Sequence, residues 1–124
     1  MATPERRVKA KCAAILQRLG AYYFYPAASV FSRAGIPDLI ACLPPRGHFI
    51  AIECKFGRNR VTRLQAYELS KIEQSCGTAI VVTDKTDFIR LEEWLVEIGS
   101  QPGIPLDSDT PPELVSAYLD EAEE

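Results

Sequence analysis

Apolar positions along this chain change their period several times, and each change marks an element. Val8, Cys12, Ile15, Leu16 and Leu19 recur at helical spacing, with Thr3 as a cap, Pro4 in the opening position and Gly20 past the end. The run Ala21-Tyr22-Tyr23-Phe24-Tyr25 reads as a strand halted by Pro26, and residues 26–36 as a loop. Strands are predicted over 38–43 and 48–55, on either side of Pro44-Pro45-Arg46-Gly47. Thr62-Arg63-Leu64-Gln65 satisfies a capping box and opens a helix through Tyr67, Leu69 and Ile72 to about Cys76. The β-branched, apolar run from Thr78 to Thr83 suits a central strand. A last core helix spans about 86–98, with Phe88, Leu91, Trp94 and Leu95 on one face; Trp94 reads as core rather than as a base-stacking platform. Pro102, Pro105, Pro111 and Pro112 mark a linker, and 113–122 a short acidic helix. The expected architecture is therefore one three-layer α/β domain with a mixed sheet over residues 1–98, followed by a tail over 99–124.

The predicted hairpin has a register that arithmetic fixes. If Pro45 and Arg46 centre the turn, with Pro at its second position and Gly at its fourth, facing residues sum to 91, and Asp38 and Glu53 are such a pair. Directly opposed residues hold their Cβ atoms about 4.5–5.5 Å apart, and Lys55 joins the same face two positions on. Two carboxylates at roughly 4 Å repel by about 4 kcal/mol at an effective dielectric near 20. Lys55 or a divalent cation would offset that, and an oxygen-rich site with few protein ligands suits magnesium or manganese. An ordinary surface cluster of Asp, Glu and Lys is the competing reading. Against it, Leu39-Ile40-Ala41-Cys42-Leu43 and Phe49-Ile50-Ala51-Ile52 are apolar on both faces, as in strands covered on both sides. Charges at the ends of buried strands are costly without partners or chemistry.

Composition alters the picture in one respect. The net charge is −3, yet residues 1–64 hold eleven Lys or Arg and three acids, whereas residues 65–124 hold three Lys or Arg and fourteen acids. The three acids of the first half are Glu5, Asp38 and Glu53. A basic surface whose carboxylates coincide with proposed metal ligands is what phosphate-backbone binding with metal-assisted cleavage requires; chance segregation of charge is the alternative. Cys12, Cys42, Cys54 and Cys76 show no CxxC spacing and lie in apolar stretches, which argues for free thiols and a reducing, cytoplasmic location. No run reaches transmembrane length.

Gly35-Ile36-Pro37-Asp38-Leu39, then Ile52-Glu53-Cys54-Lys55, then Thr62 and Gln65 opening a helix, together resemble the PD-(D/E)xK nucleases. Within that superfamily they are most similar to the virus-type replication-repair nuclease (VRR-NUC) domain, with archaeal-type Holliday junction resolvases as relatives, over residues 4 to 97 or so. The resemblance implies a restriction-endonuclease-like core and an Mg²⁺- or Mn²⁺-dependent endonuclease leaving 5′-phosphate and 3′-hydroxyl ends. It implies catalytic roles for Asp38, Glu53, Lys55 and Gln65, with metal held by Glu5, Asp38, Glu53 and the backbone carbonyl of Cys54. A metal ion there would acidify its water and stabilise charge on the scissile phosphate, while Lys55 would orient or activate the attacking water or neutralise that charge. Stand-alone domains of this kind look like homodimers acting on branched DNA, and a four-way junction has matching two-fold symmetry.

Several of these residues also have plainer explanations. Glu5 stands in a first helical turn, where an acid gains roughly 0.3–1 kcal/mol from the dipole. Gln65 is accounted for by its capping box, so cap and active site compete for one side chain. The basic segment from Lys55 to Arg63 leaves the ExK strand, so Arg58, Arg60 and Arg63 are expected to contact the phosphate backbone, as are Arg6, Lys9 and Arg33; a solvated loop is the alternative. His48, the sole histidine, is expected as a solvated turn residue. A flap or single-strand nuclease, a restriction-type endonuclease, a DNA-binding module with an idle site, and a structural partner of a larger replication machine stay open.

Overall fold

The computed structural model describes residues 3–27 and 34–101; Arg33 and the tail beyond Gln101 lie outside them. Helix α1 (Pro4–Arg18) starts where Thr3 Oγ1 accepts from Arg6 N at 3.3 Å, with Pro4 at the position that needs no amide hydrogen. It buries Val8, Cys12, Ile15 and Leu16. Strand β1 (Tyr22–Phe24) follows, then the hairpin β2 (Leu39–Leu43) and β3 (His48–Cys54). Helix α2 (Arg63–Gln74) carries the chain to β4 (Thr78–Val82), and α3 (Phe88–Gly99), capped by Asp87 through Ile89 N and Arg90 N, ends the described chain. The helices and strands expected within residues 3–101 are all present, with ends displaced by one or two residues; the helix expected over 113–122 lies outside the described residues.

The strands form one sheet in the order β1-β2-β3-β4, antiparallel except for the parallel pair β3–β4. Leu39 faces Ile52 and Leu43 faces His48, so the register is the one that places Asp38 opposite Glu53. One face of the sheet, with Leu39, Ala41, Leu43, Ile50, Ile52, Cys54 and Val82, packs against α1 and α3 through Val8, Cys12, Ile15, Leu16, Leu91 and Leu95. Helix α2 packs on the other face, against β4. Among the described residues no helix is long and apolar enough to cross a membrane.

Three expectations need correction. The hairpin is not covered on both faces throughout: residues 50–54 are buried, but Cys42 is exposed and Phe49 is 43% exposed, because α2 reaches only part of its face. In the described sheet β4 lies at an edge rather than in the centre, and Val81 is 43% exposed; a parallel strand beside β3 needs an apolar run on whichever side it lies. His48 is not a solvated turn residue. It opens β3 on the core face, is buried, and its Nε2 lies 2.6 Å from Thr78 Oγ1 of β4, because strand alternation puts it on the same face as Ile50 and Ile52.

Candidate active site

At the end of the hairpin away from its turn, backbone pairing hands over to side chains. Asp38 precedes the first paired residue of β2, and its Oδ2 accepts from Cys54 N at 2.8 Å, a bond that fixes the carboxylate beside the last residue of β3. Strand alternation sends Cys54 to the core face and Glu53 to the α2 face. The Cys54 thiol is hydrogen-bonded to Cys12 and buried, both of which raise its pKa steeply, so it remains a neutral core group while its backbone borders the site. All four cysteines are free.

Glu53 is the unusual group. It is only 2% exposed, lies within hydrogen-bonding reach of the Asp38 carboxyl, and its Oε2 is buried with no partner. Its pKa is pushed up to about 8, chiefly by burial, then by the Asp38 hydrogen bond and charge and by Glu5; only Lys55 pulls it down. A buried acid whose proton is held by burial and by a neighbouring carboxyl marks a candidate functional site.

Gln65 resolves the competition between its two readings by serving both. Its Oε1 accepts from Thr62 N at 2.9 Å while Thr62 Oγ1 accepts from Gln65 N at 3.2 Å, which completes the capping box, and its Nε2 donates to Glu53 Oε1 at 3.2 Å. The helix terminus thus aims the amide at the acid. Gly35 makes this placement feasible: at φ +87° a Cβ would stand 2.6 Å from the Leu64 carbonyl carbon and oxygen, so only glycine lets the loop before Pro37 lie against the first turn of α2. Gly35→Ala is expected to destabilise the protein by about 1–3 kcal/mol, measured by urea unfolding, since neither backbone can retreat without moving the site.

Of the remaining predicted residues, Lys9 is tied to this pair by an ion pair, and Glu5 and Lys55 by their charges. Glu5 is half-buried in the first turn of α1, close enough for its charge to act on Glu53. Among the described residues no three or more His, Cys, Asp or Glu side chains form a metal-binding group, so the adjacent side-chain donors are the two carboxyls of Asp38 and Glu53. Lys9, four residues after Glu5, reaches Asp38 Oδ1 at 3.5 Å and sits 5.7 Å over the Tyr25 ring. Arg6, Lys9, Ala10 and Tyr25 line an open cleft of about 420 Å³ beside the acids. Arg58, Arg60 and Arg63 are exposed on and after the loop that leaves Lys55. Lys55 N extends the β3–β4 pairing to Val82 O at 2.9 Å, and Gly57 N donates to Asp84 Oδ1 at 2.9 Å, so the start of that loop is tied to β4 and its following turn.

A solved structure described as a VRR_NUC domain superposes on this chain with a TM-score of 0.61 at 25% sequence identity, covering 74% of this chain and 97% of the other. The chain has a VRR-NUC fold. The four-stranded mixed sheet flanked by three helices is consistent with that fold. No protein-family model matches the sequence, and a search of curated proteins returns no significant relative.

Within the VRR-NUC fold, two features escaped sequence reasoning. Lys9 was expected to touch DNA, but its ion pair with Asp38 was not foreseen; its i+4 spacing from Glu5 was the available signal. Tyr25 and Asp84 carry no signal in the sequence, because Tyr25 reads as the end of a strand and Asp84 as a turn residue.

Proposed function

We propose that this domain is an Mg²⁺- or Mn²⁺-dependent endodeoxyribonuclease that cuts branched DNA as a homodimer. The observation that carries the reading is the Asp38–Glu53 carboxyl pair, with its unpartnered buried Oε2 and with Lys9 in an ion pair with Asp38. Two hard oxygen donors fit a magnesium-sized ion, which keeps several waters and takes one or two carboxylates; by the resemblance, the Cys54 carbonyl and Glu5 would add further donors. Such an ion supplies Lewis-acid stabilisation of charge on the phosphate.

The chain's own groups do the rest. Gln65 and the Cys54 amide hold Glu53 and Asp38 in place, so neither carboxyl must reorganise as charge develops. Lys55 neutralises charge at the scissile phosphate or orients the attacking water. Arg6, Lys9, Arg58, Arg60 and Arg63, with Arg33 beyond the described residues, hold the backbone without reading sequence. Nothing in the sequence suggests a base-reading helix or a separate specificity domain, which favours a structural rather than a sequence target.

The test is cleavage of end-labelled four-way junction, flap, single strand and linear duplex by the full chain in Mg²⁺, Mn²⁺ or EDTA. Symmetric paired nicks on the junction, absent in EDTA, are expected. Preferential cutting of flap or single strand would reassign the substrate, and binding without product in either metal would overturn the enzyme.

A further inference from the structure

One cleft beside the acids combines two cations with an aromatic ring, and the ring has no part in the chemistry proposed above. Among the described residues it is lined by Arg6, Lys9, Ala10 and Tyr25, and its volume of about 420 Å³ lies in the range of pockets that hold a single small ligand. Arg6 and Lys9 are three positions apart on α1 and share a side of the helix. Tyr25 comes from the sheet. Phe24 faces Ile40, so one residue past the end of β1 the same register brings Tyr25 level with Leu39, the neighbour of Asp38. Strand alternation turns Tyr25 to the side of Tyr23, and the two rings meet nearly at right angles, with centroids 6.5 Å apart. Tyr23 packs against the core and so holds Tyr25 in place, yet Tyr25 itself is 48% exposed. The Lys9 ammonium links this ring to the site: it lies 5.7 Å from the ring centroid and 3.5 Å from Asp38 Oδ1.

A held, half-exposed ring between cations has one use within the fold, which is to cover the Lys9 stem, and another toward DNA. A continuous duplex keeps its bases stacked inside and offers a surface ring only sugar and phosphate. A base that has left the stack offers its π-face, which an aromatic side chain can cover while nearby cations take the phosphates. We propose that Arg6, Lys9 and Tyr25 form a subsite for one unstacked nucleotide of the DNA strand bound at Asp38 and Glu53, with the base on the Tyr25 ring and the adjoining phosphates on Arg6 and Lys9. The subsite rests on the nuclease reading for its DNA strand and supplies a physical basis for structure selectivity. Flaps, single strands and junctions opened at the branch point present such a base, whereas a continuous duplex must first break its own stacking and pairing. Because every base has a π-face, the subsite selects strand structure and not sequence.

The test uses the full chain in EDTA, where binding is read without cleavage. Two probes are compared: a duplex with a single-stranded flap carrying 2-aminopurine as its first unpaired base, and a continuous duplex of the same length. Affinity by anisotropy and 2-aminopurine emission are measured for wild type, Tyr25→Phe and Tyr25→Leu, beside melting curves. Tyr25→Leu is expected to weaken flap binding about tenfold or more and duplex binding less than about twofold. Tyr25→Phe keeps the ring and is expected to bind both probes as the wild type does. Emission from the flap base falls on binding to wild type or Tyr25→Phe and stays bright on Tyr25→Leu. Equal losses on the two probes would reduce Tyr25 to a support for Lys9 and overturn the proposal. Unquenched emission on the wild type would overturn it as well, and that reading does not depend on the folding of any variant. Cleavage in Mg²⁺ or Mn²⁺ is scored separately: stacking without product refutes the nuclease and leaves the subsite, whereas metal-dependent cutting without stacking refutes the subsite and leaves the nuclease.

Discussion

Asp38→Asn and Lys55→Ala are each expected to lower the proposed metal-dependent cleavage by at least about 10²–10³-fold while the domain stays folded. Asparagine keeps an oxygen to accept from Cys54 N, so the junction of β2 and β3 survives, but the charge that pairs with Lys9 and that would hold a cation is gone. Lys55 is half-buried and its backbone bond to Val82 O does not need the side chain, so alanine removes the ammonium and little else. Its loss has a second effect, because Lys55 is the one group that pulls the Glu53 proton off; without it the acid is held more firmly in its neutral form. Single-turnover cleavage at saturating metal, beside DNA binding by anisotropy and a melting curve, separates these effects. Unchanged melting and near-native binding with cleavage lost is the expected pattern. Cleavage at the wild-type rate in either variant would remove that residue from the chemistry.

The fold was largely legible in the sequence because its elements are marked by local chemistry. The Thr3-Pro4 cap, the Thr62–Gln65 capping box and the Pro-Pro-Arg-Gly turn each fix a boundary within a residue or two, and the turn also fixes the register. The pairing of Asp38 with Glu53 follows from that register alone. What local chemistry does not encode is which strand has a neighbour on each side. An apolar run such as 78–82 reports that it is covered, not that it is central, and so β4 at the edge was misread. His48 was misread for a related reason: whether a residue after a turn is solvated depends on its face, and its partner Thr78 is 30 positions away. The double use of Gln65 was beyond reach, since the cap and the active site each explain the residue, and only three dimensions show that its oxygen and nitrogen divide the work.

Replacing Glu53 with glutamine is expected to stabilise the metal-free protein at pH 8 and to leave it nearly unchanged at pH 5. In the folded state Glu53 releases its proton only near pH 8, whereas the unfolded chain releases it near the ordinary glutamate value of 4.5. Between those limits the folded protein binds a proton that the unfolded chain does not, so stability is fully present below the lower value and is lost as pH rises through the upper one. Each pH unit of that interval carries up to 1.36 kcal/mol, and with relaxation of the site the expected difference at pH 8 is about 2–4 kcal/mol. Glutamine resembles the protonated acid. Its oxygen can still accept from Gln65 Nε2, and its amide nitrogen, in the place of the unpartnered Oε2, is a donor facing the Asp38 carboxyl. Urea unfolding of both proteins in EDTA from pH 5 to pH 8.5 measures the effect, and stability curves that run parallel across this range would show that Glu53 is not the protonated member of the pair. Repeating the pH 8 measurement in Mg²⁺ adds the converse: a cation that binds the ionised carboxylate stabilises the wild type and has much less to hold in Glu53→Gln, so the gap narrows as metal is added. The acid that costs the metal-free fold stability at neutral pH is thus the one a bound cation would stabilise, through the Oε2 that has no partner of its own.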